Sequence, residues 1–272
     1  MKKYTWLWRA TDIGVKGRSM LSFCRMQGID VILLQLSNKV TADDYKYFIS
    51  EATKFGIEVH AACGEREWYH PTKYSDIYDC ISRVSAYNSR CLSAECEFTG
   101  IHFDIEPHSL DEWKNMETRP EVIKNWADTV STYVVDCRLA GLQLTAAVPL
   151  AIAKVEYEGA RFSKFMAEQH DKLLVMSYRD FVEGNDSILH HVDLFLQDSI
   201  DLYKPQCIVP SVETKISSEG DKVSFHEEGS IFMRKQLDLL HWKLSDHKGY
   251  GGYGIHSLEY WMDMSMYPIV EG

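Results

Sequence analysis

Gly100-Ile-His-Phe-Asp-Ile-Glu-Pro107 alternates with a period of two. On an extended strand His102, Asp104 and Glu106 share one face, and Ile101, Phe103 and Ile105 take the other. The apolar face needs a layer of helices against it, and the ionisable face needs a polar space that solvent can reach. Reading outward in both directions supplies those helices. Short runs rich in β-branched and apolar residues alternate with longer stretches of helical period from one end of the chain to the other, the pattern of βα units on a parallel sheet. Strands are expected at 4–9, 30–36, 57–62, 100–105, 143–148, 172–176, 206–212 and 249–255. Helices are expected near 17–27, 41–55, 73–96, 119–140, 161–169, 186–203 and 229–244, with a short last one from Leu258.

Local signals agree with this division. Thr41 followed by Asp44 reads as a helix cap, and Gly56 and Gly141 read as helix stops. The runs VILLQL (31–36) and CIVPSV (207–212) are apolar throughout, as strands covered on both faces are. An open doubly wound sheet would carry a glycine-rich phosphate turn after its first strand, yet residues 10–16 contain only Gly14. Eight strands therefore point to a closed (β/α)8 TIM barrel. No linker or charge block divides the 272 residues, so one domain over 1–272 is expected.

Composition narrows the partners. With 29 Lys and Arg against 40 Asp and Glu the net charge is −11, and no basic stripe offsets it, so no nucleic acid partner is expected. No apolar run reaches the length of about 18 residues that suggests a membrane span, so no membrane partner is expected either. Arg9 and Asp12 interrupt the N-terminal stretch before an apolar core of signal-peptide length forms. The chain as written is thus expected in the cytoplasm, or outside it if a leader has been removed. Seven cysteines, an odd number without a C-x-x-C, read as reduced thiols. His190-His191 and the His241/His247 pair lack carboxylates or thiols at ligand spacing, and the first strand has no His-x-His. No metal and no other cofactor is expected.

In a barrel of this type reactive groups sit at the C-terminal ends of the strands. The fourth strand would send His102, Asp104 and Glu106 into the mouth, with the two carboxylates roughly 6–7 Å apart. So close a pair, partly buried, cannot ionise freely, and the raised pKa of one member is what a general acid needs near neutral pH. The competing reading ties both carboxylates into salt bridges with Arg9 or Arg179. A catalytic mouth should also be the largest pocket and carry aromatics.

GIHFDIEP resembles the fourth-strand signature of the family 18 glycoside hydrolases, the chitinase-like barrels, whose spaced acids end in Asp-x-Glu. Leu144-Thr-Ala-Ala-Val-Pro149 is similar to their fifth strand, and Val175-Met-Ser-Tyr178 to the end of their sixth; Cys63-Gly64 and Gly252 to Leu258 are weaker echoes. The resemblance implies a glycan substrate bearing N-acetylated amino sugars and a metal-independent, substrate-assisted hydrolysis. Glu106 would protonate the glycosidic oxygen, Asp104 would orient the substrate's acetamido group, and Tyr178 would hydrogen-bond that group. The chain departs from the pattern at Thr99 and His102, where acids usually stand, at Arg179 in place of an Asp, and at His256 in place of the Trp that floors the sugar site.

His102, Arg179 and His256, with Glu213 and Trp68, are the expected substrate-binding residues. Tyr69, Trp113, Tyr253 and Trp261 are further loop aromatics that could stack on sugar faces. Two alternatives stand beside this reading. Glu106 as acid/base with Glu213 as nucleophile is the layout of the large retaining glycosidase clan, although that clan places Asn where Ile105 stands. A non-catalytic, lectin-like barrel would account for the lost residues. The polar loop from Thr214 to Gly229 is long enough to fold over the mouth as a flap, or to form a small surface hairpin.

Overall fold

Strands whose two faces are both apolar can be satisfied by closing the sheet on itself, with side chains filling the inside and helices covering the outside. The computed structural model, which describes residues 1–269, shows this closure. The chain enters on β1 (Lys2–Leu7), β2 (Val31–Gln35), β3 (Glu58–Cys63), β4 (Gly100–Phe103) and β5 (Gln143–Pro149). A hairpin of β6 (Glu156–Tyr157) and β7 (Ala160–Arg161) follows, and the barrel is completed by β8 (Lys172–Met176), β9 (Ile208–Glu213) and β10 (Gly252–His256). The eight barrel strands are parallel and close in the order β1-β10-β9-β8-β5-β4-β3-β2, a (β/α)8 barrel.

Helices α1 (Ile13–Gln27), α2 (Ala42–Lys54), α3 (Tyr74–Asn88), α4 (Asp111–Lys114), α5 (Arg119–Leu139), α6 (Phe162–Gln169), α7 (Ile188–Asp201), α8 (Gly229–Leu244) and α9 (Leu258–Asp263) lie around it. Thr41 caps α2 in a full capping box with Asp44, whose backbone N–H donates to Thr41 Oγ1. None of the described helices is long and apolar enough to cross a membrane.

Two apolar layers result from the pleat. Outward side chains such as Ile101, Phe103, Ile32 and Leu34 join the helices in one large core. Inward side chains Tyr4, Trp6, Val31, Leu33, Ala62, Ala147, Leu174 and Val209 fill the barrel. Trp6 fits there because β10 presents Gly254 opposite it: a Cβ at that position would lie 3.0 Å from the indole and 2.6 Å from Ser211 Oγ.

Two expectations need correction. The helix expected over 73–96 ends at Asn88, and only a short turn, Ala94–Cys96, follows. The Asn88 side chain bonds both the N–H and the C=O of Phe98, so it anchors the loop rather than continuing the helix. The fourth strand stops at Phe103 rather than at 105, because Pro107 lacks an N–H and opens a turn directly after Glu106. The hairpin at 156–161 was not anticipated; Glu158 and Gly159 both take positive φ in its two-residue turn.

Gly64 follows β3 and lies directly on the fourth-strand exit: a Cβ there would meet Asp104 O at 2.0 Å and Asp104 C at 2.5 Å, backbone atoms that cannot step aside. Gly64→Ala should therefore cost at least about 2 kcal/mol in urea unfolding, at the upper end of overpacking substitutions. A loss below about 0.5 kcal/mol would show that the two segments are free to part.

Candidate active site

Period-two geometry and strand register assemble the mouth. On the first strand and its exit, Tyr4, Trp6 and Trp8 succeed one another on the inner side. Glu213 and His256 end β9 and β10 as register partners, so their side chains meet: His256 Nδ1 lies 2.9 Å from Glu213 Oε2. Trp8 Nε1 donates to His256 Nε2 at 2.7 Å. Glu213 Oε1 accepts from the backbone N–H groups of Thr214 and Lys215, both at 2.8 Å. Tyr178, just past β8, places its ring 6.0 Å from that of His256. Asp104 and Glu106 complete the group from the exit of β4, and Asp104 N–H still donates to Cys63 O at 2.9 Å.

Charge and burial set the chemistry of this cluster. Asp104 Oδ1 is buried and has no hydrogen-bond partner. Burial first, and then the negative charge of Glu106, push the Asp104 pKa up to about 8, while His256 acts in the opposite direction. The pair therefore carries a proton at neutral pH. Burial, followed by the charges of Glu213, Asp104 and Glu106, holds the Tyr178 phenol well above its ordinary pKa, so it remains a hydrogen-bond donor. His108, one residue past Pro107, has its pKa lowered by burial against the opposing charges of Glu106 and Glu219. Glu219 belongs to the long loop after β9, so that loop reaches toward the side of the mouth that holds Glu106. Ser224 brings it back to Glu213 through a single bridge, and no strand pair forms within it among the described residues.

Several sequence expectations are redrawn. His102 does not enter the mouth: it is fully buried inside the barrel, where Nε2 accepts from Trp6 Nε1 at 3.0 Å and Nδ1 meets Thr145 Oγ1 at 2.9 Å. Both ring nitrogens are used by the protein, so His102 cannot bind substrate; burial, with the charges of neighbouring histidines, keeps its pKa well below the ordinary value. Arg179 is likewise engaged elsewhere. It donates to Tyr178 O at 2.6 Å and to Asp186 at 2.9 Å, and Asp186 also holds Lys222 and His191. Those three partners, Arg179 foremost, depress the Asp186 pKa.

Trp68 lies half-buried on a turn, Arg66–Tyr69, with its ring packed on the outer core. Arg9 pairs with Asp12 at 3.8 Å, so neither it nor Arg179 neutralises the carboxyl pair. A depression of about 910 Å³ lies away from the pair, between the segment after β5 and α7, lined by Leu150, Lys154, Glu183, His190 and Asp193 among others. Among the described residues no group of three or more His, Cys, Asp or Glu side chains is placed to hold a metal ion.

Trp8 is the mouth residue that sequence reasoning missed. The signal was present, since Tyr4-x-Trp6-x-Trp8 continues one face of the first strand to its exit.

Because the folded Asp104 pKa lies above the value near 3.9 of an unfolded chain, the native state keeps a proton that the unfolded state releases between about pH 4 and pH 8. Its contribution to stability is complete below that window and is lost as pH rises through it. Asp104→Asn should remove this slope, leaving stability at pH 4 nearly unchanged and raising it at pH 8 by at least about 1 kcal/mol in denaturant unfolding. An unchanged slope would place the titration elsewhere.

No family model and no curated protein sequence matches the chain. Solved structures do. A chitinase from Chromobacterium violaceum superposes with a TM-score of 0.61 at 12% identity, covering 96% of both chains. A mutant family 18 chitinase from Cycas revoluta in complex with (GlcNAc)4 gives 0.59 at 14% identity, over 97% of this chain and 96% of that one. Catalytic domain 2 of the Ostrinia furnacalis Group II chitinase, a mutant in complex with a chitooligosaccharide, gives 0.57 at 12% identity, over 96% and 90%. At such identity the likeness is one of architecture, and in architecture the chain is a divergent chitinase-like (β/α)8 barrel.

Proposed function

We propose that the protein is a glycoside hydrolase acting on N-acetylated amino-sugar glycans. The observation that carries this reading is the Asp104–Glu106 pair at the barrel mouth, in which Asp104, with a buried and unpartnered Oδ1, has its pKa pushed up to about 8 by burial and by the charge of Glu106. Glu106 delivers a proton to the glycosidic oxygen as the bond to the anomeric carbon breaks. The substrate's own acetamido oxygen attacks that carbon from the other face. Asp104 holds and stabilises the acetamido group, and Tyr178, a phenol that stays protonated, donates to it. Water then opens the resulting ring, returning its proton to Glu106.

The retaining alternative asks Glu213 to act as nucleophile. Both of its oxygens are already occupied, one by two backbone N–H groups and the other by His256, which suits a carboxylate that orients a neighbour. The reading therefore keeps Glu213 and His256 as walls of the site. The solved chitinases crystallised with chitooligosaccharides support the substrate class.

Glu106→Gln should lower turnover of a chromogenic N-acetylglucosaminide or of short chitooligosaccharides by about 10²–10⁴-fold and leave glycan affinity within a few-fold, since the amide keeps the shape and loses the proton. Equal loss of rate and affinity would make Glu106 structural. Binding by the wild type without any turnover would establish the lectin-like barrel in its place.

A further inference from the structure

Away from the mouth, α2 and α3 part on the flank of the barrel and leave a groove of about 540 Å³ between them. Helical period sets its walls. Arg83, Ala86, Tyr87 and Arg90 stand at i, i+3, i+4 and i+7 on one face of α3 and the turn that continues it, where Arg90 N–H still donates to Tyr87 O at 3.0 Å. Ala42, Tyr45 and Lys46 stand at i, i+3 and i+4 on the facing side of α2.

The segment between α3 and β4 holds the two helices apart. Thr53 of α2 donates to Glu95 O at 3.0 Å and Tyr87 of α3 donates to Cys96 O at 2.9 Å, so the turn Ala94–Cys96 is wedged between them. Above that turn three rings meet edge to face or tilted: Tyr45 lies 6.1 Å from Tyr87 and 5.4 Å from Phe98, and Tyr87 lies 5.2 Å from Phe98. The Tyr45 hydroxyl donates to Gln35 O and the Tyr87 hydroxyl to Cys96 O. Both polar tips are thus taken up by the backbone, and the groove is left a floor of ring carbon, continued by Leu36 and Val40.

The charge of the walls opposes that of the whole chain. Lys46, Arg83 and Arg90 line the groove against one carboxylate, Asp43, in a protein of net charge −11. Among the described residues Lys46 and Arg90 make no ion pair, and Arg83 reaches Asp79 only at 3.9 Å. A floor of carbon beside cations without close carboxylates asks for a ligand with both characters. An uncharged sugar would leave the cations unanswered, and a bare inorganic ion would leave the floor uncovered.

We propose that this groove is a second ligand site, for a small organic anion with a flat apolar body. The body lies on the ring floor, and a carboxylate, sulfonate or phosphate group meets the guanidinium groups, which suit planar, paired recognition of such oxygens. The volume falls within the roughly 300–1,000 Å³ of small-molecule sites. The groove shares no lining residue with the mouth, so the proposal stands or falls independently of the hydrolase reading.

The dye 8-anilinonaphthalene-1-sulfonate, a flat aromatic anion, is the probe, and Cys91 is the reporter. Cys91 lines the groove and is the one cysteine of the seven that is not buried. Burial raises its pKa to about 11, so its alkylation by iodoacetamide is followed at pH 9 by mass spectrometry. The dye should bind saturably, slow Cys91 alkylation at least about threefold over the same concentration range, and resist displacement by chitooligosaccharides. Arg83→Gln with Arg90→Gln should weaken its binding at least about tenfold, because two charged partners are lost while the floor remains. No binding, binding that the double variant leaves unchanged, unaltered alkylation of Cys91, or displacement by chitooligosaccharides would each overturn the proposal, the last by placing the dye in the mouth. Should the double variant fail to fold, protection of Cys91 in the wild type decides the matter.

Discussion

Trp6 has its indole inside the barrel and one N–H that water cannot reach, and the centre of the molecule is arranged to meet that demand. A buried donor left unmade costs about 1–3 kcal/mol. His102 satisfies it with Nε2, and by doing so fixes its own hydrogen on Nδ1, which Thr145 accepts. Gly254 on the neighbouring strand leaves the room that the ring occupies. The resemblance to family 18 puts an acid where His102 stands; here that position belongs to the filling of the barrel, and a neutral imidazole serves because it can accept and donate at once.

One layer higher the same arrangement recurs with a different ending. Trp8 donates to His256 as Trp6 donates to His102, but the lower chain ends on a hydroxyl and the upper on a carboxylate. That difference separates structure from chemistry. With no anion beside it, His102 stays neutral at any working pH, whereas Glu213 gives His256 a reason to take up a proton. The carboxyl pair lies against this upper layer, and the tight approach of Gly64 holds its backbone in place.

The rim is tied together by a separate set of charges. Asp186, from the loop after β8, holds Arg179, His191 and Lys222, the last from the loop after β9. These ion pairs consume the cation nearest to Tyr178, so the mouth keeps an excess of carboxyls. An uncharged ligand suits such a mouth better than an anion does.

Barrel closure and the strand and helix order were legible in the sequence, because pleat and helical period are properties of neighbouring residues along one chain. Trp8 was legible by the same rule, since it continues the face of Tyr4 and Trp6 to the exit of the first strand. What the sequence did not carry was which partners each polar group finds. Whether His102 reaches solvent, whether Arg179 is free, and whether Glu213 attacks or merely orients depend on register between strands far apart in the chain. Glu213 meets His256 across 43 residues, and Trp6 meets His102 across 96. Side-chain hydrogen bonds act over about 3 Å, so only closure of the barrel, which brings those strand ends to one rim, decides them.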